Sequence, residues 1–204
     1  MCLVKTPKII QWLFPALVWK MPEDRKQLWL TFDDGPHPEV TPWLLDMLEH
    51  HKIHATFFLE GCYIKQYPEL YQNILAKDHV VGNHGFAHKN GWLSTTKNYL
   101  KDIEQCQKLM PKNTLFRPPY GKISCKQISE LKKKYKLILW DVLSWDFKNN
   151  KHAKKIKPNV LNNISNGSII VFHNNEQSFT NLREVLNEIL IELKKEGFTF
   201  STTW

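Results

Sequence analysis

Two histidines and two adjacent aspartates in this 204-residue sequence have types and spacings that suit metal binding and proton transfer. His84 and His88 are four residues apart, so one helical turn or a tight loop can bring both imidazoles to a common point. Two histidines and one carboxylate form a three-ligand set that leaves a fourth position open for water, as in catalytic zinc sites. Asp34 is the candidate third ligand, and the sequence therefore predicts a metal site at these three residues.

Asp33 needs a separate explanation, because two neighbouring carboxylates on an apolar strand repel each other unless a cation separates their roles. One alternative is structural, since an aspartate before Gly35-Pro36 often starts a turn. The functional interpretation places Asp34 on the metal and makes Asp33 the general base that deprotonates water. We expect the functional arrangement.

His173 and Arg117 are the candidates for the remaining roles. His173 ends the apolar run 169–172, where a histidine is more often a buried structural group than a catalyst. Its place at the end of a strand, on the side of the predicted metal site, favours the role of general acid. Arg117 precedes two prolines, which hold the backbone rigid. It forms either a surface ion pair or the charge that holds Asp33 ionised and oriented.

Nearly all of these residues follow predicted β-strands. Short β-branched or aromatic runs alternate with segments of helical spacing, which indicates a parallel sheet in a single barrel-like α/β domain. In such barrels the carboxyl ends of the strands form one rim, where catalytic groups collect. The seven predicted strands are Leu28–Phe32, Ala55–Leu59, Val80–Val81, Thr114–Phe116, Leu137–Trp140, Ser168–Phe172 and Phe198–Thr202. The predicted helices are one with its N-cap at Thr41, then Tyr67–Lys77, Ser94–Met110, Ser124–Tyr135 and Thr180–Glu196.

Four short segments carry a resemblance to a known family. They are residues 31–36 (TFDDGP), 84–88 (HGFAH), 117–121 (RPPYG) and 171–173 (VFH). In this order they resemble the first, second, third and fifth motifs of the polysaccharide deacetylases that share the NodB homology domain, also called carbohydrate esterase family 4. The resemblance extends over nearly the whole chain.

The resemblance implies a distorted (β/α)7 barrel and an enzyme that removes acetyl groups from sugars. It implies a divalent metal, usually Zn²⁺, with Co²⁺, Ni²⁺ or Mn²⁺ as alternatives, held by the three ligands predicted above. Asp33 matches the family's base and His173 its acid, while the backbone N–H of Tyr120 helps the metal to hold the oxyanion. Val171 stands where the family has a leucine in the pocket for the acetyl methyl group. The predicted substrate, oxyanion and tuning positions are Arg117, Pro118, Tyr120, Asp146 and Val171.

The chain departs from the family pattern near the metal and in the fourth motif. Gly85 stands where the family usually has serine or threonine, which removes a hydroxyl near the metal. The fourth motif, commonly Asp-x-x-Asp-Trp, reads Leu-Ser-Trp-Asp-Phe from Leu143. Its first aspartate normally orients the catalytic histidine. Either Asp146 or Asp141 takes over this role, and we expect Asp146 because it matches the second aspartate of the motif.

The expected function is a metal-dependent hydrolase acting on an N-acetylated glycan such as peptidoglycan or a chitooligosaccharide. An O-acetyl carbohydrate esterase uses the same machinery and is an alternative. A non-catalytic domain that binds a glycan or polyanion is the third possibility, because Lys+Arg 28 exceed Asp+Glu 20 and lysines cluster at 132–136. No nucleic-acid motif accompanies these lysines, so we expect no nucleic-acid partner.

The first part of the chain is apolar, but its length does not suit a membrane span. The stretch Ile9–Trp19 is shorter than the roughly 20 residues that a transmembrane helix needs, and no signal-peptide cleavage site follows it. We expect residues 1–25 to pack on a deacetylase domain of residues 26–204. A cytoplasmic location is expected, with peripheral membrane association or secretion as alternatives. The sequence does not indicate the oligomeric state.

Overall fold

The structure is a computed structural model that describes residues 3–22, 24–148 and 153–204. Within these ranges the chain forms nine strands and eight α-helices. The strands are β1 (Leu17–Val18), β2 (Gln27–Asp33), β3 (Thr56–Leu59), β4 (Val80–Asn83), β5 (Leu115–Phe116), β6 (Lys136–Ile138), β7 (Val142–Leu143), β8 (Ile169–His173) and β9 (Thr199–Phe200). The helices are α1 (Lys8–Leu13), α2 (Val40–His50), α3 (Gly61–Gln66), α4 (Pro68–Ala76), α5 (Thr96–Gln107), α6 (Cys125–Leu131), α7 (Ala153–Leu161) and α8 (Glu176–Lys195).

The strands form one parallel sheet in the order β1-β6-β5-β4-β3-β2-β8-β7, with β9 paired to the start of β2. β2 lies at the centre of the sheet, where it pairs with β3 on one side and β8 on the other. All of its residues after Gln27 are buried. A parallel strand covered on both faces is a continuous apolar run instead of an alternating one, which is why this segment of the sequence is so apolar.

The sheet curls because one short stretch of chain supplies strands to distant parts of it. Only three residues separate the end of β6 at Ile138 from the start of β7 at Val142. β7 is the last strand in the sheet order, and β6 is the second, after β1. The short connection between them therefore draws the two ends of the sheet together. The predicted single-domain, distorted (β/α)7 barrel is confirmed, with β1 and β7 as additional short strands.

The first described residues pack along β6 and β7. The carbonyl of Val4 accepts a hydrogen bond from the Leu143 amide (2.8 Å), and β1 then pairs with β6 in parallel. Helix α1 connects these two contacts. Among the described residues, no helix has both the length and the apolar character to span a bilayer.

Several predicted helix boundaries are wrong, and side-chain hydrogen bonds explain two of the differences. The first long helix begins at Val40, so Thr41 lies inside its first turn instead of capping it. Its hydroxyl accepts from the His37 amide (2.7 Å) and donates to Asn174 Oδ1 (3.0 Å). The last helix starts before the predicted Thr180, because Asn175 caps it by accepting from the Ser178 amide (2.9 Å).

Three helices, α1, α3 and α7, were not predicted at all, and the boundaries of α5 differ from the prediction. Helix α3 precedes the predicted helix at 67–77 as a separate six-residue turn. Helix α7 contains Pro158, a residue that argues against a helix interior in a sequence analysis. The predicted helix Ser94–Met110 is shorter in the structure, because Thr95 caps α5 by accepting a hydrogen bond from the Asn98 amide.

Candidate active site

The three predicted metal ligands lie together at the rim formed by the carboxyl ends of the strands. Asp34 Oδ1 is 3.7 Å from His84 Nε2 and 3.4 Å from His88 Nε2. In the part of the chain that the structure describes, no other group of three His, Cys, Asp or Glu side chains has ligand atoms this close together. Asp34 follows β2 and His84 follows β4, so the sheet brings residues fifty positions apart in sequence to one place.

The chemistry and spacing of this cluster fit a divalent metal ion. Neighbouring ligands in a tetrahedral zinc site are about 3.3 Å apart, close to both distances above. Burial, together with the neighbouring His88, lowers the pKa of His84 to about 3, so this imidazole is neutral at physiological pH and can act as a ligand. His84 Nδ1 lies 2.8 Å from the backbone oxygen of Arg117, so a proton on Nδ1 donates a hydrogen bond to this carbonyl and Nε2 is left for the metal.

The loop between the two histidines is held from both sides. The first two amides of α3 donate to the carbonyls of Gly85 and Phe86, each at 2.9 Å. The buried carboxylate of Asp102 on α5 accepts from the amides of Phe86 (2.8 Å) and Ala87 (3.2 Å). A Cβ atom on Gly85 would lie 2.8 Å from Asp102 Oδ2, and the φ of Gly85 is +80°. The carboxylate therefore occupies the place where a family serine or threonine side chain would project.

Three residues at this rim have a strained backbone conformation. Asp34 (φ 70°), His88 (φ 48°) and Tyr120 (φ 59°) all adopt the left-handed conformation, which is uncommon for residues other than glycine. Such conformations persist where the surrounding contacts impose them, and they cluster at functional sites. Two of the three are predicted metal ligands.

Asp34, His84 and His88 are called the ligand cluster below. Asp33 and Arg117 form a buried ion pair beside it. Arg117 Nη1 donates to Asp33 Oδ1 at 2.5 Å and to the Thr31 hydroxyl at 2.7 Å. The carbonyls of Ile138 and Leu139 accept the remaining guanidinium hydrogen bonds. Because Arg117 is 0% exposed, the surface ion pair considered from the sequence is excluded. The second oxygen of Asp33 lies 4.0 Å from His84 Nε2, on the side of the ligand cluster.

His173 and Asp146 form a second buried pair at the same rim. Asp33 and His173 are register partners on β2 and β8, and His173 Nδ1 lies 2.8 Å from Asp146 Oδ1. The second oxygen of Asp146 accepts from the backbone amide of His173 (2.8 Å), while Phe147 packs edge-on against the imidazole. Burial by itself lowers the pKa of His173, but the Asp146 carboxylate outweighs it and, with the charge of Asp34, raises the pKa to about 9.

Asp141, the alternative partner of His173, lies in a different environment. Its Oδ2 accepts hydrogen bonds from Lys5 Nζ (2.6 Å) and the Ser168 hydroxyl (2.5 Å). Leu143, which replaces the family's first aspartate, is buried in β7. Of the two candidate carboxylates, the structure places only Asp146 against His173.

Two polar residues near Asp34 were missed by the sequence analysis. Asn175 Nδ2 donates to Asp34 Oδ2 at 2.6 Å, while its own oxygen caps α8. The Glu60 side chain is buried at the end of β3, where burial and the charge of Asp34 raise its pKa to about 8. Glu60 could have been identified from the sequence, because it is a carboxylate directly after a predicted strand. The signal for Asn175 was an amide just after His173.

The remaining predicted site residues lie around this cluster. The ring of Tyr120 is 4.4 Å from that of His88 and is 56% exposed, so its side chain reaches solvent over the site. The carbonyl of Pro118 accepts from the Gly121 amide (3.0 Å), which closes the tight turn that contains Tyr120. Val171 is fully buried in β8, two residues before His173 and therefore on the same face of the strand.

The fold and the rim together define a class of protein: α/β barrels that collect reactive side chains, here including three candidate metal ligands, at the carboxyl end of a parallel sheet. The sequence profile of the polysaccharide deacetylase family matches residues 20–137, more than half of the chain. The chain therefore belongs to the polysaccharide deacetylases of carbohydrate esterase family 4.

Individual relatives agree with this assignment. A peptidoglycan-N-acetylglucosamine deacetylase of Bacillus cereus is 33% identical over 91% of this chain and 90% of its own length. The crystal structure of the Bc1960 peptidoglycan N-acetylglucosamine deacetylase superposes with a TM-score of 0.87 at 30% identity, covering 96% of this chain and 94% of that protein. A mutant of BA3943, a pseudoenzyme of the same family with restored enzymatic activity, superposes with a TM-score of 0.78 at 25% identity, covering 91% and 69%.

Proposed function

We propose that this protein is a metal-dependent hydrolase that removes acetyl groups from the N-acetylated sugars of a glycan such as peptidoglycan or a chitooligosaccharide. The single observation that carries the proposal is the composition of the rim. A three-ligand cluster lies beside a carboxylate and an imidazole, and each of these two groups has a buried group of opposite charge behind it. The activities for which the relatives are named support the same substrate class.

Asp34, His84 and His88 would hold one divalent ion, with Zn²⁺ the first choice for a site of two histidines and one carboxylate. When bound, the ion supplies a Lewis acid that polarises a carbonyl and lowers the pKa of water from 15.7 to about 7. The site offers three protein ligands, so a further position is left for water or substrate. The protein's own side chains provide the proton transfers.

Asp33 accepts the proton of the attacking water. Its Oδ1 is engaged by Arg117, while its Oδ2 lies on the side of the ligand cluster, 4.0 Å from His84 Nε2. Water that loses a proton to Oδ2 forms a bond to the carbonyl carbon of the acetyl group. The backbone N–H of Tyr120 donates a hydrogen bond to the acetyl oxygen as negative charge develops there.

His173 donates the proton that completes the reaction. Its Nδ1 is bound to Asp146, so Nε2 carries the transferable proton. The carbon–nitrogen bond breaks as Nε2 protonates the nitrogen, and the products are acetate and a free amine. A pKa of about 9 keeps this imidazole protonated at neutral pH. Because an amide nitrogen leaves only when protonated, N-deacetylation requires such an acid, whereas an ester alkoxide is a better leaving group and depends on it less.

Two measurements test the proposal. Elemental analysis of the metal-loaded protein should find about one ion per chain, and His88→Ala should lose most of it while remaining folded. Equal metal in both proteins would overturn the ligand assignment. Mass spectrometry should then show acetyl loss from N-acetylated chitooligosaccharides or peptidoglycan fragments. Acetyl loss from O-acetylated xylooligosaccharides alone would make the protein an esterase, and glycan binding without any acetyl loss would make it a non-catalytic binder.

A further inference from the structure

Helix α1 presents an apolar surface to solvent. Trp12 is 78% exposed, Ile9 65%, Leu13 56% and Phe14, directly after the helix, 38%. None of the residues of this helix is buried. These four side chains are called the α1 patch below. A contiguous apolar surface of this kind on a folded domain marks a site of contact with a partner or a membrane.

The α1 patch lies next to the lysine run at 132–136. Strand β1 pairs with β6 in the register Leu17 to Leu137, which places Ala16 opposite Lys136. Phe14 is thus only two residues from Ala16, the residue that lies opposite the start of β6. Lys132, Lys133, Lys134 and Lys136 are all exposed there.

The charged side chains around the α1 patch are mainly positive. Residues 3–22 contain lysines and no carboxylate, and of these lysines Lys5 is paired with the buried Asp141. In the run at 132–136 one lysine, Lys133, is paired with Glu130 (3.0 Å). Lys8 is exposed at the first position of α1 itself. The apolar side chains thus have a predominantly cationic surround, in a chain of formal net charge +8.

This surface is at the opposite end of the barrel from the catalytic rim. β1 and β6 run parallel to the other strands, so Ala16 and Lys136 precede the strands at their amino ends. Asp33 and His173 lie at the carboxyl ends. A large ligand on the α1 patch therefore leaves the ligand cluster open.

We propose that the α1 patch and the lysines at 132–136 form a docking surface for an anionic lipid bilayer. Tryptophan and aliphatic side chains enter the boundary between headgroups and acyl chains, while lysines around them pair with anionic headgroups. A protein partner would explain the apolar side chains, but the adjoining cationic run selects a surface of dense negative charge. The proposal is independent of the deacetylase activity, since it uses none of the rim residues.

Vesicle co-sedimentation tests the apolar half of the surface. The full chain should bind vesicles of phosphatidylcholine mixed with phosphatidylglycerol. Trp12→Ala combined with Leu13→Ala should weaken binding by about tenfold or more, because two exposed side chains that enter the bilayer are lost. Trp92 and Leu93 are 65% and 86% exposed elsewhere, so the matched double variant at these positions should bind like the wild type. Equal binding by the α1 variant and the wild type would overturn the proposal.

Charge reversal tests the electrostatic half. Lys132→Glu combined with Lys134→Glu should reduce binding to the mixed vesicles about tenfold, with the loss fading as salt is added. Lys52→Glu combined with Lys65→Glu changes the net charge equally at two other exposed positions and should have a much smaller effect. Equal losses of vesicle binding in the two variants would mean that only the net charge matters, and would overturn the proposed docking surface. Sedimentation equilibrium without vesicles should show the same mass for wild type and the Trp12/Leu13 variant. A dimer that this variant dissociates would assign the patch to a second copy of the chain instead.

Discussion

Two buried ion pairs border the ligand cluster, and they are built with opposite polarity. In the first pair the carboxylate of Asp33 faces the cluster and the Arg117 guanidinium lies behind it. In the second pair the His173 imidazole faces the rim and the Asp146 carboxylate lies behind it. A charge behind a titratable group favours the opposite charge on that group. The first pair therefore suits a proton acceptor and the second a proton donor.

The partner that lies behind is fully buried in both pairs. Arg117 and Asp146 are each 0% exposed, and each is held by additional backbone hydrogen bonds. Removing one member of such a pair leaves an uncompensated charge in the interior, which is costly. Substitutions at the front and at the back of each pair should therefore have different consequences, and these consequences test the comparison.

The largest expected effect follows from Asp33→Asn. The amide cannot take up a proton from water, yet it is isosteric and is not one of the three ligands. Turnover should fall by about 10²–10⁴, the usual contribution of a general base, while metal content stays at the wild-type level. Acetate release and elemental analysis on the same preparation measure both. Wild-type turnover in this variant would remove Asp33 from the mechanism.

Arg117→Met tests the group behind the base. This variant removes the guanidinium hydrogen bonds to Asp33, Thr31 and two carbonyls, and leaves a carboxylate buried without its cation. The free energy of unfolding should fall by about 3–5 kcal/mol, as measured by urea denaturation. In the double variant with Asp33→Asn the loss should be smaller than the sum of the two single losses. Strict additivity would mean that the two side chains are not energetically coupled.

Asp146→Asn tests the group behind the acid and should act on the alkaline limb of the rate–pH profile. Without the carboxylate, the pKa of His173 should fall from about 9 to 6.5 or below. At pH 8 the protonated fraction then drops from roughly nine-tenths to about 3%, a loss of roughly 30-fold in turnover. Asp141→Asn is the control, because its carboxylate contacts Lys5 and Ser168 instead. A profile that shifts in the control and not in Asp146→Asn would reverse the assignment.

The same pair should make stability depend on pH. The pKa of His173 is raised on folding, so the stabilisation is complete below pH 6.5 and is lost as the pH rises through about 9. The difference in unfolding free energy between wild type and Asp146→Asn should therefore shrink between these values. Denaturation curves at several pH values measure it. A difference that grows with pH would contradict an imidazolium–carboxylate pair.

The expected effect at Asn175 is on metal affinity instead of turnover, because Asn175 contacts Asp34, a predicted metal ligand. Asn175→Ser retains an oxygen that can cap α8 and removes the amide that donates to Asp34 Oδ2. Loss of such a partner typically weakens metal binding 10–100-fold. Competition with a chelator measures the affinity, and circular dichroism checks the helix. Unchanged affinity would show that this hydrogen bond does not orient the ligand.

Much of the site could be predicted because its residues follow strands. Asp34, His84 and His173 each stand at the end of an apolar run, and parallel strands bring such ends to one rim. The central strands β2 and β8 were found for the same reason, since each is a long apolar run. The two-residue strands β1 and β7 have no periodicity that a sequence could reveal.

The supporting residues could not be predicted, because their roles depend on contacts across the chain. Asp102 lies on the inner face of a helix among apolar residues, and no spacing relates it to the loop at 85–87 that it holds. The first turn of α2 was misread because Thr41 resembles a cap in sequence, while its hydroxyl bonds His37 and Asn174. The helix start and the support of this loop depend on tertiary hydrogen bonds, which local sequence propensity does not reveal.

The stretch from Lys136 to Asp146 contributes to both ion pairs. Carbonyls at 138 and 139 accept hydrogen bonds from Arg117, and Asp146 follows the end of β7 by three residues. One inserted or deleted residue between Ile138 and Val142 would slide one of these strands by about 3.3 Å and turn its side chains to the opposite face. The acceptor pair would lose its supporting carbonyls if β6 moved, and the donor pair would lose Asp146 if β7 moved. The length of this connection is consequently constrained more tightly than the identity of its residues.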